Sequence, residues 1–226
     1  MASNGVRFGS IHSFNDLELM LAPFAIPPAE PKLNLLDIPA GDGTLDLTEA
    51  LGEVKYYDRE FVMKFTVNPH SEMTFDEKVT QVSNALNGKE FEITFDRDAD
   101  WFWEGRCVVN EHVQNKLIQE ITIKAIVKPY KMKKEWTECN GTIKENESSC
   151  TVSVENSRKT VVPYMSAGGA SYIHFNFEGK AYEFNNNTTQ MYPEIQLKEG
   201  MNEFTFFRTL GSGKQFITIL YREGAL

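Results

Sequence analysis

The sequence predicts an α+β domain followed by an all-β sandwich. Three observations carry that expectation. The first half holds one segment at helical spacing, set among strands that alternate apolar and polar residues. The second half holds only short alternating runs separated by turn residues. Between them, Lys128-Pro129-Tyr130-Lys131-Met132-Lys133-Lys134-Glu135 raises charge and polarity abruptly, which sets a boundary at residue 131. The 226 residues, 41% hydrophobic with 16 Phe, are enough for two domains with real cores.

Taken in order, 13–21 reads as a strand or a single helical turn, and Pro23, Pro27, Pro28 and Pro31 forbid regular helix after it. Residues 38–48 read as a loop turned by Gly41 and Gly43. In 60–67, Phe61, Met63, Phe65 and Val67 share one face, so a strand buried on that face is expected. Thr74-Phe75-Asp76-Glu77 fits a capping box. Phe75, Val79, Val82 and Leu86 follow at helical spacing, and Asn87-Gly88 supplies a left-handed stop. Strands are expected at 91–95, 101–110 and 118–127, the last with Ile121, Ile123, Ala125 and Val127 alternating. Beyond the boundary, 151–154 and 160–165 are candidate strands. Ile173, Phe175 and Phe177 turn through Glu178-Gly179 into Tyr182 and Phe184 as a hairpin. Asn185-Asn186-Asn187 reads as a loop, Glu199-Gly200 turns into Phe204 and Phe206, and 210–214 turns into 216–221.

Charge and composition exclude several functions. A net charge of −9 is the wrong balance for a generic nucleic-acid binder. No apolar run approaches the roughly 18–20 residues of a membrane helix. The first residues lack a basic start followed by an apolar stretch, so no secretory signal is expected. Three cysteines without a C-x-x-C imply no disulfide framework, and Cys107 reads as a small core residue rather than a nucleophile.

Motifs for chemistry are incomplete. Asp96-x-Asp98-x-Asp100 begins like a calcium loop, but Trp101 and Cys107 stand where that loop needs Gly and Glu, so a hairpin turn is expected. Asp37, Asp42 and Asp46 around Gly41 and Gly43 suit a turn better than a cation. Gly211-Ser212-Gly213-Lys214-Gln215 lacks the first Gly and the Ser or Thr of a phosphate loop, and reads as a hairpin turn between strands. His12, His70, His112 and His174 are too far apart to form a helical metal pair. Of Trp101-Phe102-Trp103, neighbours on a strand face opposite ways, leaving exposed display or two-sided burial open. Asn140, Asn146 and Asn186 begin N-x-Ser/Thr triplets that read as polar loops.

Several segments, in order along nearly the whole chain, carry a family likeness. They are Gly9-Ser10-Ile11-His12-Ser13-Phe14-Asn15-Asp16-Leu17, then Asp37-Ile38-Pro39-Ala40-Gly41-Asp42-Gly43-Thr44-Leu45-Asp46-Leu47-Thr48, then Tyr57-Asp58-Arg59-Glu60-Phe61. Phe95-Asp96-Arg97-Asp98 through Trp103-Glu104-Gly105-Arg106 follows, then Lys128-Pro129-Tyr130-Lys131 and the closing Tyr221-Arg222-Glu223-Gly224-Ala225-Leu226. The chain resembles the distal tail protein (Dit) family of long non-contractile-tailed bacteriophages and prophages. Ala40 departs from the glycine common in that family's loop.

The resemblance implies a structural hub protein of the virion tail tip, made in the bacterial host cytoplasm. It implies a ring-forming domain, 1–131, built as a β-sandwich with one helix and a β-hairpin, and a galectin-like β-sandwich, 132–226. It further implies a homo-hexamer joining the tail tube protein to the tail-associated tip protein, often carrying receptor-binding proteins. DNA would pass the channel without specific binding, which an acidic lumen favours. No enzyme activity, catalytic residue, cofactor, metal ligand or membrane insertion is implied. The alternative is a carbohydrate-binding module for host attachment, with Tyr172, Tyr182 and Tyr192 as candidate platforms beside Trp136 and His174.

Overall fold

The computed structural model describes residues 5–50, 52–115, 118–169, 172–184 and 188–226. The loop expected at Asn185-Asn186-Asn187 lies outside the described residues. The chain divides into two compact units, Met1–Lys131 with Leu226, and Met132–Ala225.

The first unit opens with β1 (Val6–Phe8), β2 (Ile11–His12) and β3 (Leu19–Leu21). Next come β4 (Leu35–Asp37) and β5 (Thr44–Asp46), then β6 (Arg59–Val67), α1 (Phe75–Leu86), β7 (Glu90–Phe95), β8 (Trp101–Gln114) and β9 (Gln119–Val127). The main antiparallel sheet runs β2-β1-β7-β8-β9-β6-β3. It is strongly curled. β1 and β6 lie four strands apart, about 19 Å in a flat sheet, yet the rings of Phe8 and Phe65 sit 6.4 Å apart. The curl closes the inner face on itself, so Phe61, Met63, Phe65, Ile93, Phe95, Ile121 and Ile123 share one core.

α1 packs into that core through Phe75, Val82 and Leu86. Its capping box forms: Glu77 N–H donates to Thr74 Oγ1, and Thr74 N–H to Glu77 Oε2 at 2.9 Å. Gly88, at φ +75°, turns the chain where a side chain would be strained. The helix buries Lys78 as well, which the apolar spacing did not mark; Val79 is only half-buried. Lys78 Nζ donates to Glu18 Oε2 at 2.8 Å and to Gln81 Oε1 at 3.0 Å, and Ser71 Oγ also donates to Glu18. The hydrogen bond from Lys78, then that from Ser71, hold the Glu18 carboxyl below the usual carboxylate range. A depressed acid contributes stability that is present above its unfolded pKa and lost as pH falls through its folded pKa. We therefore expect Glu18→Gln to flatten the loss of stability below about pH 4. Urea unfolding from pH 7 down to pH 3, with an unchanged slope against wild type, would contradict this.

The second unit follows β10 (Lys131–Lys133) with β11 (Thr137–Ile143), β12 (Ser149–Asn156), β13 (Tyr164–Gly169), β14 (Tyr172–Phe177) and β15 (Lys180–Phe184). β16 (Thr189–Met191), β17 (Gly200–Leu210), β18 (Gln215–Tyr221) and β19 (Gly224–Ala225) complete it. Two antiparallel sheets, β11-β18-β13-β16 and β12-β17-β14-β15, enclose an aromatic core that includes Phe175, Phe177, Phe204 and Phe206. Phe177 and Phe204 stack at 4.5 Å. The fold class is thus α+β followed by a β-sandwich.

Three strand expectations shift. Asn140 lies on β11, not in a loop, because the inward positions of that strand hold the small Cys139 and Gly141 and give little apolar signal. The strand expected at 160–165 is β13, four residues later; Val161 instead bridges Leu197. The turn at 211–214 joins β17 to β18 across the two sheets and is not a hairpin. Arg208 holds it, donating to the carbonyls of Gly213 at 2.6 Å and Lys144 at 2.9 Å. The hairpin at 178–179 forms as expected, with Glu178 and Gly179 at φ +46° and +78°.

Candidate functional site

Asp46, Asp96 and Asp98 of the acidic motifs are engaged by neighbouring groups. Asp96 and Asp98 lie in a 3-10 turn. Asp96 Oδ2 accepts from Gly5 N–H at 3.1 Å and meets His12 Nε2 at 3.2 Å. His12 Nδ1 accepts the amides of Phe14 and Asn15, each at 3.1 Å, so the buried ring knits the chain start to the sheet. Asp98 accepts from Lys131 Nζ at 2.7 Å, and that ammonium also lies 4.8 Å from the Trp101 ring. Phe102 and Trp103 are both buried, so two-sided burial holds for this pair. The hydrogen bond from the Thr48 side chain, then that from Thr48 N–H at 2.8 Å, lower the pKa of Asp46. Burial pushes the Cys107 thiol up to about 12, leaving it un-ionised at neutral pH. Among the described residues no group of three or more His, Cys, Asp or Glu is placed to hold a metal ion, and no helix is long and apolar enough to cross a membrane.

What the first unit displays instead is an apolar arm. β4 and β5 pair only with each other, with Leu36 opposite Leu45. All six of their residues are exposed, as are the flanking Leu33 and Ile38. Leu36 and Leu45 share one face, which is apolar, while Leu35 shares the other with Asp37, Thr44 and Asp46. An isolated two-stranded hairpin is marginal in water, and an exposed apolar surface of this kind marks an interaction site. The loop expected over 38–48 contains β5 at 44–46, and nothing in the sequence pattern marks Leu33, Leu35 and Leu36 as an arm. Their signal was a run of leucines between a proline-rich segment and a glycine turn, with no partner strand in the main pattern. Ala40, at the arm's tip, adopts φ +61°, a left-handed conformation that a glycine there would adopt without strain.

A scan against protein families matches residues 9–128, just over half of the chain, to the phage tail protein RIFT-related domain. The chain belongs to this phage tail family. Among solved structures, the phage tail chain is similar to the crystal structure of the SPP1 Dit (gp 19.1) protein, described as a paradigm of the hub adsorption apparatus in phages that infect Gram-positive hosts. The TM-score is 0.68 at 14% identity, covering 98% of this chain and 99% of that one, so the two share a fold over their whole lengths. A search of curated proteins returns no match. The matched span contains both the arm and the His12–Asp96 knot of the phage tail protein.

Of the tyrosines considered as platforms, Tyr172 is exposed. Tyr182 and Tyr192 pack on Phe175, at 5.0 Å and 5.5 Å, and belong to the core. Trp136 is half exposed, with the Arg222 guanidinium 4.9 Å from its ring.

Proposed function

We propose that this protein is the distal tail hub of a bacteriophage, a homo-hexameric ring that joins the tail tube to the tip protein and receptor-binding apparatus. The observation that carries this reading is the exposed apolar arm of the first unit, Leu35, Leu36 and Leu45 with Leu33 and Ile38 beside them. An exposed apolar face of this kind calls for cover, and in a closed ring each arm lies on the next copy through a heterologous contact. The family match and the fold shared with a hub protein support the same reading. The acids already engaged with His12 and Lys131, and the neutral thiol of Cys107, favour a structural role over catalysis. The ring contacts lie in residues 1–131, and 132–226 forms the second domain.

The test is the solution mass by light scattering, followed by negative-stain microscopy. We expect a particle of about six copies with a central hole. A monomer that persists both alone and with the tail tube protein added would refute the ring.

A further inference from the structure

We propose that the outward face of the β12-β17-β14-β15 sheet binds a neutral oligosaccharide. Strand register decides which side chains share this face. His174 lies opposite Phe207 on one side and Glu183 on the other, and Tyr172 lies opposite Leu210. A bulge beside Tyr172 adds Thr209 to the same edge. Tyr172, His174, Glu183, Thr209 and Leu210 border an open depression of about 640 Å³, the size of a small-molecule site.

Its parts suit a sugar. Tyr172, 68% exposed, and Leu210, 65% exposed, offer apolar surface to the C–H face of a pyranose. His174 is fixed by stacking on Phe207 at 5.1 Å and by a hydrogen bond between Nδ1 and Thr209 Oγ1 at 2.8 Å. That leaves its Nε2 without a partner among the described residues. The Glu183 carboxylate pairs with no cation there either, and is an acceptor for hydroxyl groups.

Further along β14, Asn176 borders a second depression of about 500 Å³, with Thr205 and Glu203. Two depressions bordered by outward positions of β14, one at Tyr172 and His174 and one at Asn176, fit a chain of sugar rings better than a single ring. Charge selects among sugars. The outward strand positions of this sheet carry Glu155, Glu183 and Glu203 and neither Lys nor Arg. A phosphate- or carboxylate-bearing polymer is repelled by such a face, whereas a neutral polyhydroxyl ligand is not. This inference does not depend on the ring.

The test uses the full chain on an array of neutral glycans. Saturation-transfer NMR then follows at millimolar lactose, maltotriose and triacetylchitotriose, with a glycerol-phosphate oligomer as anionic comparator. We expect transfer from at least one neutral probe and none from the comparator. Tyr172→Ala, at an exposed position, weakens binding at least tenfold, and Glu183→Gln weakens it less. Tyr164→Ala, on the other sheet, leaves it unchanged. Absence of any neutral ligand, preference for the anionic oligomer, or binding that survives Tyr172→Ala overturns the proposal.

Discussion

Replacing Leu36 and Leu45 together by Asp is expected to convert the proposed ring into folded monomers of 25.8 kDa. The two side chains lie directly opposite each other on β4 and β5, so they share one face of the arm. Both are about half exposed in the single chain, so their loss removes little from its own core. In the proposed ring each is covered by the neighbouring copy. Burying a leucine side chain is favourable by about 1.5–3 kcal/mol, and a carboxylate in the same place must be desolvated without a cation. Two such changes per interface weaken association by about a thousandfold or more. Light scattering reads the mass, and circular dichroism with thermal melting reads the fold. A variant that still forms rings would show that the arm is not the contact. A variant that fails to fold would show that the arm serves its own chain.

The second large effect is on stability. Gly105 sits at the middle of the main sheet, on β8, opposite Val127 of β9. A Cβ built there would lie 2.3 Å from the Ile126 carbonyl oxygen and 2.7 Å from Val127 Cα. Both are backbone atoms of a strand paired on both sides, by β8 and β6, so neither can move freely. Gly105→Ala is expected to destabilise the first unit by about 3 kcal/mol, the upper part of the range for overpacking. The sign makes this sharp. In an unobstructed strand the same change stabilises by about 0.5–1 kcal/mol. Hydrogen exchange resolves the two units: amides of β6, β8 and β9 should exchange faster, while those of β17 and β18 should not change. Exchange that slows in β8 would show that the strand has room.

Legibility varied with the size of the inward residues. β6 and β9 were plain because large apolar side chains stand at every second position, and α1 because its cap and its spacing agreed. β11 was invisible because Gly141 faces Val152, whose Cγ2 would lie 2.4 Å from any Cβ there. Packing between sheets demanded a small residue, and a small residue carries no apolar signal. Lys78 misled in the opposite sense, since its burial rests on Glu18, sixty positions earlier. The arm was half legible: the glycine turn could be read, but its leucines lack the alternation that marks a buried strand, because the single chain does not bury them.

The sequence by itself determined the α+β-then-β class, the capped helix, the alternating strands and the likeness to a tail family. These follow from local patterning, where each residue's neighbours along the chain set its face and its turn. Only the tertiary structure decided that the arm stands uncovered. It alone matched His12 with Asp96 and set Tyr172, His174, Phe207 and Glu183 on one surface. Those groupings come from strands distant in the chain, and their register is fixed by packing across the sheets.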